Sequence, residues 1–228
     1  VSPENTTIDG SARIAAGIDG SLYVIYQNGE TVLPDDSTIE DYAATQRILV
    51  AAFNAETKVF QEPVEISERG TYNYAPKVTV VDGVVTAVWV SNSDTSDIFG
   101  RNETNQIMYA QLVDDAWSAP KTLAKGQNTV IAIEVGELEG NICTAVITDQ
   151  DNDLNTVDDH CITVYSLTQT TEETLNVGTA TAMQFGAMPG TTQTGLFWAD
   201  QSGIKFYDGV SNDEVIADEN CADGFSVL

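Results

Sequence analysis

A unit of four short strands recurs four times along this chain, and a strand-only repeat of this kind leaves few folds open. Alternation of period two dominates, and no amphipathic helix of about 12 residues is legible. Val78 to Val81, Asp82-Gly83 and Val84 to Val90 read as strand, tight turn and strand. A third strand follows over Ile107 to Leu112 and a fourth over Trp117 to Leu123. First strands with a glycine turn recur at Ile14 to Gly20, Val78 to Gly83, Val130 to Gly136 and Met183 to Gly190. Second strands recur at Leu22 to Tyr26, Thr86 to Val90, Thr144 to Ile147 and Gly195 to Trp198. Third strands recur at Ile48 to Phe53, Ile107 to Leu112, Ile162 to Leu167 and Ile204 to Tyr207. The sharpest match is aromatic-x-x-Pro in the fourth strand: Phe60 to Pro63 against Trp117 to Pro120.

Repeats that are each one antiparallel meander predict an all-β fold, a β-propeller of about four four-stranded blades, either complete or a fragment of a larger ring. One blade cannot bury both of its faces, so blades must stack side by side. A β-sandwich is the competing architecture, but it has no reason to repeat aromatic-x-x-Pro in register. The expected blades are 11–67, 75–125, 129–180 and 182–221, within a single domain over 1–228. Residues 222–228 read as an extra strand, expected to pair with blade one or four or with another chain.

Trp117-Ser118-Ala119-Pro120 at a blade's end, with Ile107-Met108-Tyr109-Ala110 on the preceding strand, resembles the repeats of sialidase-like (BNR-like) propellers of bacterial surface and secreted proteins. That resemblance implies a propeller at the cell surface or outside the cell.

Charge excludes several partners. The chain has 35 acidic and 9 basic residues among 228, a net charge of −26. Nucleic acid needs a Lys/Arg footprint, which is absent, and anionic membrane surfaces are disfavoured likewise. No apolar run is long enough to insert in a bilayer. The start, Val1-Ser2-Pro3-Glu4, carries no signal-peptide pattern, as expected of a trimmed exported domain and equally of a cytoplasmic one. Cys143, Cys161 and Cys221 are expected to be free thiols, the first two near opposite ends of one hairpin.

The second-to-third-strand loops at 27–46, 91–105 and 148–160 are long and hold 13 of the 35 acids. The third contains Asp149, Asp151, Asp153 and Asn155 at alternate positions, a spacing that can converge oxygens on calcium. An ordinary acidic hairpin loop is the other reading. The connector between the first two blades offers Arg69, Tyr72, Asn73 and Tyr74, which could stack on a sugar and bond its hydroxyls, or could pack between blades. His160 is the only histidine, so histidine-based nucleophilic machinery finds little support. With this many acids, no spacing singles out a catalytic pair.

Two function classes follow. The favoured one is a non-catalytic extracellular module presenting acidic loops to a glycan or protein ligand. The alternative is a glycoside hydrolase or a sialidase-related enzyme. A pocket with converging carboxylates would favour the enzyme.

Overall fold

The computed structural model describes residues 7–30, 32–156, 158–168, 172–188, 190–210 and 214–217. Within these the protein is all-β, with four antiparallel sheets and one short helix. The first sheet contains β1 (Thr7–Ala16), β2 (Leu22–Glu30), β3 (Arg47–Asn54), β4 (Val59–Phe60) and β5 (Val64–Glu65). The helix α1 (Ile39–Ala44) lies in the loop between β2 and β3, opened by a Thr38/Asp41 capping box. The second sheet contains β6 (Tyr72–Val81), β7 (Val84–Asn92), β8 (Asn105–Val113), β9 (Ala116–Trp117) and β10 (Lys121–Gln127). The third runs β11 (Val130–Leu138), β12 (Asn141–Thr148), β13 (His160–Ser166) and β14 (Glu172–Gly178). The fourth runs β15 (Ala182–Ala187), β16 (Thr194–Asp200), β17 (Gly203–Tyr207) and β18 (Glu214–Ala217). These are the meanders of a propeller of about four blades. Contacts gather into two compact units, Val1–Gln127 and Asn128–Leu228, each holding two blades. The extra strand expected at 222–228, and Cys221, lie outside the described residues.

The aromatic-x-x-Pro repeat has a structural meaning. Phe60 pairs with Phe53 on β3, and Trp117 pairs with Leu112 on β8. Beyond each proline the chain pairs again, Val64 with Val50 and Lys121 with Tyr109. The two blades therefore share one register. The sequence suggests a continuous fourth strand; the structure breaks it into β4 and β5, and into β9 and β10. Proline offers no N–H to the ladder, and pairing lapses around Pro63 and Pro120.

Each unit has a core between its two blades. In the first, Ile25, Ile48, Val50 and Ile66 pack with Ala87, Trp89, Met108 and Ala110. In the second, Ala145, Ile147, Ile162 and Val164 pack with Met183, Leu196 and Trp198. The second strands β7 and β12 are buried on nearly every residue because both faces are covered. Cys143 pairs with Ser166 and Cys161 with Thr148, at opposite ends of the β12–β13 ladder, and neither forms a disulfide among the described residues.

Close approach of the third and fourth blades needs Gly136. A Cβ there would lie 2.3 Å from Phe185 Cβ and 2.5 Å from its Cγ. Gly136→Ala is expected to cost about 1–3 kcal/mol through overpacking. A second change, Phe185→Ala, would not restore stability, because the clashing Cβ remains. Urea unfolding of the single and double variants checks this.

Candidate functional site

The third and fourth blades line a half-open pocket of about 350 Å³, within the range that holds small ligands. Leu138 and Glu139 reach it from the end of β11, Asn141 and Cys143 from β12, and Val164 and Ser166 from β13. Glu172 and Glu173 come from the start of β14, and Tyr207 and Gly209 from the fourth blade. Glu139 sits in the two-residue turn between β11 and β12. Gly209 makes room for it: a Cβ at 209 would lie 2.9 Å from Glu139 Cδ.

The Tyr207 hydroxyl donates to Glu173 Oε2. Burial first, and then the bond to Glu173 and the charges of Glu173, Glu139 and Asp208, push the phenol above its ordinary range. Tyr207 therefore stays protonated at neutral pH and keeps donating to Glu173. Burial also pushes the Cys143 thiol up to about 11, with Glu139 adding to the shift and a bond with Ser166 opposing it. A thiol held so is no nucleophile at neutral pH. The pocket thus brings together three carboxylates and one held phenol.

The connector residues are placed differently from one another. Asn73 is fully buried; its Nδ2 lies 3.0 Å from Gln46 O and 2.8 Å from Glu68 O, and its Oδ1 accepts from Trp89 Nε1 at 3.2 Å. Tyr72 and Tyr74 stack on each other with centroids 4.8 Å apart, and the Tyr74 hydroxyl donates to Asn105 Oδ1. Arg69 is exposed and forms a two-pronged pair with Glu65. Arg69 is exposed, Tyr72 and Tyr74 are half-buried, and Asn73 is closed off from solvent. In the third-blade loop the structure brings Asp149 and Asp151 together with Asp159, one oxygen of each lying within 4.8 Å of the others. Asp153 instead turns onto Asn155, accepting from its N at 3.1 Å and its Nδ2 at 2.6 Å. Burial, foremost, raises the Asp149 carboxyl above its ordinary range. His160 is buried and its Nδ1 donates to Ala180 O at 2.7 Å, which leaves it a structural part of β13.

No family model and no curated protein matches this sequence. Solved structures do match in fold. The polysaccharide lyase Uly1 superposes with TM-score 0.58 at 11% identity, covering 93% of this chain and 50% of that one. Zg3597, a family 117 glycoside hydrolase from Zobellia galactanivorans, gives TM-score 0.55 at 12% identity, covering 95% and 71%. The α-L-arabinanase of Penicillium chrysogenum gives 0.53 at 10% identity, covering 90% and 62%. The chain spans about half the length of the lyase. At these identities the likeness establishes a propeller of the class used by glycoside hydrolases and a polysaccharide lyase. It corrects the sequence-based preference for a non-catalytic binding module, since these relatives are carbohydrate-active enzymes. The sequence-based search centred on the long loops, whereas the carboxylate pocket is built from a turn and strand ends.

Proposed function

We propose that this chain is the propeller portion of a carbohydrate-active enzyme that hydrolyses glycosidic bonds in a neutral glycan. The observation that carries this reading is the pocket of Glu139, Glu172, Glu173 and Tyr207, on a fold whose solved relatives act on carbohydrates. Hydrolysis needs one carboxylic acid to protonate the leaving oxygen and one carboxylate to act as nucleophile or base. Glu173, held in position by the Tyr207 hydroxyl, takes the nucleophile or base role in this reading. Glu139, which lines the same pocket from the β11–β12 turn, is the second carboxylate and takes the acid role in this reading.

Elimination on a uronate polymer is less well served. A tyrosinate base needs a lowered phenol pKa, and Tyr207 is shifted the other way. A polyanionic substrate would also approach a chain of net charge −26. The test is a structure of the chain with a neutral oligosaccharide bound. A sugar ring beside Glu173 and Tyr207 is expected. A sugar seated elsewhere, with this pocket empty, would contradict the assignment.

A further inference from the structure

We propose that Asp149, Asp151 and Asp159 bind one calcium ion at the root of the third-blade loop. Asp149 is the first residue after β12, and Asp159 is the last before β13. The two strands close on the pair Thr148 and Cys161, so the ends of the loop come back together. The ligand set therefore spans both ends of the loop and is not an alternate-position run along one side.

Asp149 is fully buried. Its N donates to Thr129 O at 3.0 Å, and its Oδ1 accepts from Asn152 N at 2.9 Å. Its Oδ2 is enclosed with no hydrogen-bond partner among the described residues, and the same holds for Asp159 Oδ1. The other Asp159 oxygen accepts from Asp151 N at 2.8 Å. The Asp151 carboxylate accepts from Asp153 N and from the Thr156 hydroxyl. The ion pairs seen among the described residues join Arg47 and Arg69 to Glu65, and Arg101 to Asp97, so none reaches these three aspartates.

An enclosed carboxylate oxygen without a donor is costly to keep charged. Two of them meet a third carboxylate here. One oxygen from each residue lies within 4.8 Å of the others. Ligands of a single calcium at about 2.3–2.6 Å cannot be more than about 5 Å apart, so the spacing fits one shared ion. All three donors are hard oxygens, with no thiolate or imidazole among them, which selects against zinc. Asp151 is exposed, so one side stays open to water, as calcium with its high coordination number requires. The loop is fastened from outside as well. Asn128 Nδ2 donates to Gln150 O at 3.0 Å, and Thr129 N donates to Asn152 Oδ1 at 2.8 Å.

The experiment is calcium titration by calorimetry, with melting temperature as a second readout. A Kd on the order of 10⁻⁴ M is expected. At ~10 mM calcium the melting temperature should then rise by about 5–10 °C. Asp151→Asn and Asp159→Asn should each weaken binding about tenfold or more, while Asp153→Asn should leave it within about twofold. Asp151 is exposed, so its variant guards against loss through misfolding. Absence of both heat and thermal shift at ~10 mM calcium would overturn the proposal. So would an equal rise with magnesium, or an Asp153→Asn defect as large as that of Asp159→Asn.

Discussion

Trp89→Ala is expected to destabilise the first unit by about 4–5 kcal/mol, the largest loss for any single truncation there. The indole is fully buried between the first two blades, among Ile25, Ile48, Val50 and Met108. Truncating a buried tryptophan costs about 3–5 kcal/mol through lost burial and the cavity left behind. A second loss adds to it. Trp89 Nε1 donates to Asn73 Oδ1, and Asn73 in turn ties Gln46 and Glu68 to the connector between the blades. Without the indole, a buried amide oxygen loses its donor. Trp89→Phe should retain much of the packing and lose the bond, and so fall between the wild type and the alanine variant. Trp117 offers a contrast, because it is only half-buried beside the same core. Its truncation should cost about 1–2 kcal/mol, by the smaller area it removes from water. Urea unfolding of the three variants ranks them.

Glu173→Gln should lower glycan turnover by about 10²–10⁴-fold while leaving the fold intact. The side chain lies at the start of β14 on an exposed stretch, so the change removes a charge without opening the core. The amide still accepts from the Tyr207 hydroxyl, but it can neither attack a sugar carbon nor take a proton. Tyr207→Phe should cost less, about tenfold, because it removes only the bond that holds Glu173 in place. The phenol's pKa is raised, so Tyr207 should impose no alkaline limb on the native pH profile below its ordinary value of about 10.

The strands were legible because β-branched and aromatic residues alternate over each of them, and Asp-Gly and similar pairs mark the turns. The shared register of the first two blades was legible in Phe60-x-x-Pro63 and Trp117-x-x-Pro120. Their interruption at proline was not, since alternation continues through a residue that cannot donate to the ladder. The pocket left no local signal. Glu139, Glu173 and Tyr207 come from three different strand ends, and each alone is one acid or phenol among many. The aspartate cluster was half legible. Asp149 and Asp151 stand out by spacing, but Asp159 becomes their neighbour only when β12 and β13 pair. That signal could have been found by closing the hairpin on Thr148 and Cys161 before choosing the ligands.

Incubating the chain with neutral polysaccharides, and separately with uronate polymers, addresses the central claim most directly when new reducing ends and unsaturated uronate products are both measured. Reducing ends from a neutral glycan, abolished by Glu173→Gln, are the predicted result. Unsaturated products from a uronate polymer with no action on neutral glycans, or neutral-glycan cleavage that survives Glu173→Gln unchanged, would contradict it.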